Sequence, residues 1–169
     1  MDHEHLFHQL SRHRAVFHDL LEKLGDAEVR WKPAADKWCL LEVVCHLYDE
    51  EREDFRARVK HVLETPDAPL PPIDPPGWVT SRRYMEQDFE ATMKRFLDER
   101  DTSVDWLWKL VSPRWENAHR HPKFGPMRAS LFLVNWVAHD HHHIRQINNL
   151  RYGYLQSISA EPLDYAGPW

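Results

Sequence analysis

TPDAPLPPIDPPG, residues 65–77, holds six of the twelve prolines in the chain. Its reading decides the fold. Proline removes a backbone donor and fixes φ, so this stretch can be neither helix interior nor central strand. It is either a boundary between two domains or an ordered crossover inside one. Neither flank alone supplies a good core, and 169 residues fit a single domain. The expectation is one domain over residues 1–169, with this loop running across it.

Both flanks read as helix. Upstream, Leu40, Val44, Leu47, Glu51, Phe55, Val59 and Val62 recur at helical spacing and predict a helix over 40–63. The charge run DEEREDFRAR, residues 49–58, reads as mostly its solvated face. An earlier helix is expected over 2–24, capped by Asp2 and stopped by Gly25, with VRWKPAADKW as the connecting loop. Downstream, Tyr84, Phe89, Met93, Phe96, Leu107 and Val111 predict a helix over 81–111. SPRWENAHRHPKFGPM then forms a loop, and a last helix runs from 128 to 152 with Gly153 at its end. Its apolar stripe is read as Leu131, Val134, Ala138, Ile147 and Leu150. The pattern is all-α, a four-helix bundle. The long Pro-rich crossover between the second and third helices is the connection that two parallel neighbours need.

Composition narrows the function. A net charge of −5 argues against a nucleic-acid partner, which selects clustered Lys and Arg. No apolar run reaches the roughly 18 residues of a membrane span, and the N-terminus lacks a signal-peptide pattern, so a cytoplasmic location is the default expectation. Cys39 and Cys45, if on one helix, are separated by a rise of about 9 Å, too far for a disulfide. Five of the thirteen histidines (His3, His5, His8, His13, His18) lie in the first helix and read as surface or interhelical residues.

Four more histidines fall within five residues of WVAHDHHHIRQI, 136–147. On a helix, His139 and His143 differ by about 40° in direction and about 6 Å along the axis, so both imidazoles can reach one metal ion. His141 points away to solvent, and His142 is assigned a core or supporting role. Catalytic metal sites commonly take three protein ligands and keep a position open for water. The second helix offers His46, beside its apolar stripe, with Asp49 and Glu50 one turn on as candidate general bases. Cys45 points about 100° from His46 and is a poor ligand candidate. HDHHH also reads as H-D-x-x-H, with Glu161 eighteen residues on, but Asp140 is one methylene short of the usual base of that zinc-protease motif. Asn135, one turn before His139, can face the same pocket.

Three segments carry a family resemblance. KWCLLEVVCHLYDEE, residues 37–51, is similar to a second-helix motif W-S-x-x-E-V-x-x-H-L-x-D-x-E, with Trp38, Glu42, Val43, His46, Leu47, Asp49 and Glu51 in place. RHPKFGPM resembles the loop before the last helix, and NWVAHDHHHIRQI the last helix itself. In this the chain resembles the DinB-like (DinB/YfiT-like) family of metal-dependent enzymes. The resemblance implies up-down-down-up topology and a divalent metal held by His46, His139 and His143, with Zn²⁺ or Ni²⁺ expected. It also implies a homodimer, and a small-molecule substrate, possible classes being hydrolysis or transfer of a low-molecular-weight thiol. Cys39 stands where the motif has Ser, which weakens a cap. Arg145 stands where sulfur-oxidising relatives carry Glu, which argues against an oxygenase. The competing expectation is a stress-related metal-binding or structural protein without turnover, presenting Trp78, Trp115 and Trp169 as an interaction surface. An open position beside a substrate-sized cavity separates the two.

Overall fold

The computed structural model describes residues 1–169. The first helix, α1 (His3–Leu21), starts where the Asp2 carboxylate accepts a hydrogen bond from the His5 amide. It stops at Leu21, short of the expected Leu24, because the chain turns through Lys23 at φ 58°. Gly25 does not close α1 and instead begins the short helix α2 (Asp26–Arg30).

The second long helix is α3 (Leu40–Glu50) continued by α4 (Arg56–Glu64), joined through a π-helical turn over Glu51–Phe55. At its start the Glu42 carboxylate accepts from the Cys39 amide (2.9 Å) and from Lys32 (2.8 Å). A π-turn widens the helix by one residue and recurs at functional sites. The expected solvated face is not found: no residue from 49 to 58 is exposed, and Asp49, Glu50 and Glu51 are buried. Asp49 is met by Arg52 and Arg82 and Glu51 by Arg100, whereas burial favours the protonated form of Glu50.

The proline-rich segment ends in structure of its own. Asp74 accepts from the Gly77 amide and caps α5 (Pro75–Ser81), whose first positions suit proline because their amides need no intrahelical partner. The third long helix does not start at Ser81. Arg83 adopts a left-handed conformation, a 3₁₀ turn follows over Tyr84–Glu86, and α6 (Phe89–Trp108) begins at the Asp88 cap. The following loop is not wholly irregular. Strands β1 (Ala118–His121) and β2 (Gly125–Arg128) pair antiparallel, with Ala118 opposite Arg128 and His121 opposite Gly125. The protein is therefore mostly helical with one small hairpin, rather than purely helical.

The last helix, α7 (Ala129–Ile158), passes through Gly153 and ends six residues later than expected. Gly153 packs against a ring: a Cβ there would lie 2.8 Å from Trp31, so glycine is needed for contact and not for termination. The buried stripe of α7 is Phe132, Leu133, Trp136, Val137, Asp140, His143, Ile147 and Leu150. Leu131, expected in that stripe, is exposed. Two apolar clusters fill the interior. One joins Phe17, Leu21, Leu41, Val44, Phe96 and Ile147, and the other joins Leu10, Phe55, Val59, Leu133 and Trp136.

A buried ion network crosses the bundle. Arg100 donates to both carboxylate oxygens of Glu51 (3.0 and 2.9 Å) and of Asp140 (2.7 and 2.8 Å). Trp136 Nε1 donates to Glu51 at 3.0 Å, and His13 Nδ1 meets Asp140 at 2.9 Å. One guanidinium thus ties the π-turn, α6, α7 and, through His13, α1. Cys39 and Cys45 are both buried and free. No helix is long and apolar enough to cross a membrane.

Candidate metal centre

Three histidines converge from α3 and α7. His139 Nε2 lies 3.2 Å from His46 Nε2 and 3.0 Å from His143 Nε2. One ligand atom from each lies within 4.8 Å of the other two, a grouping that can hold a metal ion. A tetrahedral ion with bonds of 2.0–2.1 Å separates its nitrogen ligands by about 3.3 Å. The two separations from His139 are close to that spacing.

The environment keeps the rings neutral. Burial pushes the pKa of His46 down to about 3, with a smaller contribution from His143. Burial does the same to His143, down to about 4. His139 is pushed to about 2, first by burial and then by the two other histidines. A neutral imidazole offers a lone pair, which a metal needs and a protonated ring lacks. The far nitrogens, Nδ1 of His46 and of His143, are buried without a hydrogen-bond partner. Trp38 packs on His46 with ring centres 5.0 Å apart, and Phe55 packs on His139 at 4.8 Å.

The two acids expected nearby part company. Glu50, one turn after His46, brings Oε1 to 3.9 Å from His46 Nδ1. Its carboxyl is pushed up to about 8, mainly by burial and then by Asp54. Asp49 instead joins the other side of the helix. It accepts from Tyr84 Oη (2.7 Å) and pairs with Arg52 (3.0 Å) and Arg82 (2.8 Å). It is not brought to the histidine cluster.

The remaining histidines of the tract are sorted by the helix. His141 is exposed and stands edge-on to His13 at 4.6 Å. His142 is exposed beside Arg145, not in a core or supporting position. Asp140, the acid of the H-D-x-x-H reading, is committed to Arg100 and His13. The role of Arg100 was not visible in the sequence, where nothing distinguishes it from the other basic residues of α6. Of the three tryptophans expected at the surface, Trp78 is buried under Arg82.

Beside the cluster lies a cleft of about 470 Å³. Phe55 and Phe132 form one wall, Leu131 and Asn135 continue it along α7, and Phe124 and Met127 come from the hairpin. Asn135 lines this cleft, one turn before His139, which does not line it.

The family model of the DinB superfamily matches residues 9–147. The chain belongs to the DinB superfamily. Among solved structures it is similar to YfiT from Bacillus subtilis, at 20% identity and a TM-score of 0.76, over 88% of this chain and 85% of that one. That protein is described as a probable metal-dependent hydrolase with an unusual four-helix bundle topology. A search of curated proteins found no match. The likeness in fold identifies this member of the superfamily as a four-helix bundle.

Proposed function

We propose that this DinB-superfamily protein is a divalent-metal-dependent hydrolase of a small molecule, with the ion held by His46, His139 and His143. The observation that carries the reading is the approach of the Nε2 atoms of His46 and His143 to that of His139, at 3.2 and 3.0 Å, in rings that burial keeps neutral. Such contacts are poor as hydrogen bonds, since each needs one partner to donate and only one nitrogen per neutral ring can. A shared cation accounts for all three lone pairs at once. All-nitrogen ligation suits Zn²⁺ and Ni²⁺. An ion bound there lowers the pKa of its water and polarises a substrate oxygen.

The chain's own residues supply the rest. With Nε2 on the metal, the Nδ1 of His46 must carry the proton, and Glu50 is the carboxyl that faces it. Burial lifts the Glu50 carboxyl of the metal-free protein to about 8; a bound cation would favour its ionised form, and on its place beside His46 we assign Glu50 as general base. Asp49 holds Tyr84, Arg52 and Arg82 in place and keeps α3 in register with them. Phe55 and Trp38 pack on the ligand rings and hold their orientation. The adjoining cleft favours turnover over a purely structural metal site. The same ligand set would also suit transfer of a low-molecular-weight thiol, since an ion held by these residues would favour the thiolate.

The topology belongs to this reading. Contacts of the second helix with α6 advance together, Tyr48 with Arg95, Glu51 with Arg100 and Arg56 with Ser103. Those of α1 with α6 run in opposition, Phe7 with Trp108, Arg14 with Asp101 and Phe17 with Phe96. This supports an up-down-down-up bundle in which Thr65–Gly77 is the crossover.

The test is chelation and reloading. Purified protein is assayed on a panel of small esters and amides as isolated, after chelator treatment, and after return of Zn²⁺ or Ni²⁺, with and without added thiol. Hydrolysis that disappears and returns with the metal supports the proposal. A protein that takes up no stoichiometric metal overturns it, and turnover only with thiol moves it to transferase chemistry.

A further inference from the structure

The cleft beside the histidines is built for an apolar group. Its wall is mostly hydrocarbon and aromatic, and its parts come from separated segments: Phe55 from the π-turn, Ile73 from the proline-rich crossover, Phe124 and Met127 from the hairpin, and Leu131 and Phe132 from α7. Phe124 is 64% exposed and Leu131 42% exposed, so this apolar surface stands open to water. Solvent-facing hydrocarbon collected around a concavity marks a binding site more often than a chance of folding. The volume, about 470 Å³, falls within the size of small-molecule sites.

The cleft adjoins the metal centre through Phe55, and none of the three histidines lines it. Phe55 lines it and packs on His139 at 4.8 Å between ring centres. Asn135 lines it one helical turn before His139. Its polar edge is an ion pair of Asp54 with Arg58, the latter also lying over the Phe132 ring. Asp54 faces Glu50 as well as Arg58, so charge is confined to this one edge of the cleft.

We propose that the substrate carries an apolar alkyl or aryl substituent that lies in this cleft, with its reacting polar group directed at the three-histidine centre. Strongly polar or multiply charged molecules are excluded, because the wall offers them almost no partners for the hydrogen bonds they would lose. The proposal rests on the metal reading for the position of the reacting group. The seat of the apolar part rests on the cleft alone.

The test is binding of two hydroxamates, acetohydroxamate and octanohydroxamate, measured by calorimetry on metal-loaded and chelator-stripped protein, with metal content measured separately. A hydroxamate head binds a metal ion, and the two compounds differ only in the tail. Each methylene removed from water contributes severalfold in affinity, so partial burial of six of them makes the octanoyl compound bind roughly a hundredfold more tightly. Leu131→Glu and Phe124→Glu, both at exposed positions, should erase most of that difference without changing metal content. Equal affinity for the two compounds, or a difference that survives both substitutions, overturns the proposal while leaving the metal site standing. If the protein retains no metal, the metal reading fails, and stripped protein then decides the cleft. Saturable octanohydroxamate binding that Leu131→Glu abolishes supports the proposal, and no binding overturns it.

Discussion

His46 and His139 are ninety-three residues apart in sequence and 3.2 Å apart at their Nε2 atoms. One comes from α3 and the other from α7, so the cluster exists only once the bundle has closed. Removing any one of its three rings leaves two ligands. We expect His46→Ala, His139→Ala and His143→Ala each to lose nearly all bound divalent metal by elemental analysis. His141→Ala and His142→Ala, at exposed positions, should keep it. Equal metal content in all five variants would sink the assignment.

The Arg100 network sets a stability order. Arg100 is 1% exposed and holds two carboxylates, whereas the Arg14–Asp101 pair is largely in solvent. Removing one partner of a buried ion set leaves uncompensated charge, at a cost of about 3–5 kcal/mol. Exposed pairs contribute about 0–1 kcal/mol. Urea unfolding should therefore show Arg100→Met far less stable than Arg14→Ala. Two variants of similar stability would mean that water reaches Glu51 and Asp140 in the native state.

The long helices and the histidine pair were legible in the sequence because both follow a single period. Apolar residues at helical spacing mark α1, α3 with α4, α6 and α7, and His139 with His143 repeats that spacing with a metal-binding side chain. His46 was reachable from its place beside the stripe of α3. The buried acids were not legible. Asp49, Glu50 and Glu51 look like an ordinary solvated run; Arg82 and Arg100, brought in by packing, meet Asp49 and Glu51, and burial favours the protonated form of Glu50. The hairpin escaped because AHRH and GPMR carry no β-branched residue and no alternation. Gly153 was misread because a glycine required by a neighbouring ring and a glycine that ends a helix are the same letter.

Acid should weaken the metal-free protein earlier than carboxylates alone would. His46, His139 and His143 have folded pKa values of about 3, 2 and 4, against about 6.5 when unfolded. Below pH 6.5 the unfolded chain takes up protons that the folded chain refuses, so stability falls as pH falls. The loss continues until the folded values are reached. Chemical denaturation of stripped protein between pH 7 and pH 4.5 should show this slope, and His139→Leu should flatten it. A wild-type protein whose stability is constant over that range would contradict the depressed values.

Glu50 gives a prediction of opposite sign. Its folded pKa, about 8, lies above the ordinary carboxyl value of about 4.3. The protonated form is favoured in the fold, so Glu50 contributes stability at low pH that is lost as pH rises from about 4.3 through 8. Glu50→Gln keeps the shape and removes the ionisation. The variant should gain stability relative to wild type as pH is raised across that window. If Glu50 is the base, the same substitution should also cost about 10²–10⁴ in the rate of metal-dependent hydrolysis. Metal content should remain, because the ring nitrogens and not the carboxyl hold the ion. A variant that loses its metal would make Glu50 a prop for His46 and not the base. Full activity with full metal would remove it from the mechanism. The stability profile separates these outcomes from simple misfolding, since a misfolded variant cannot become relatively more stable at pH 8 than at pH 5.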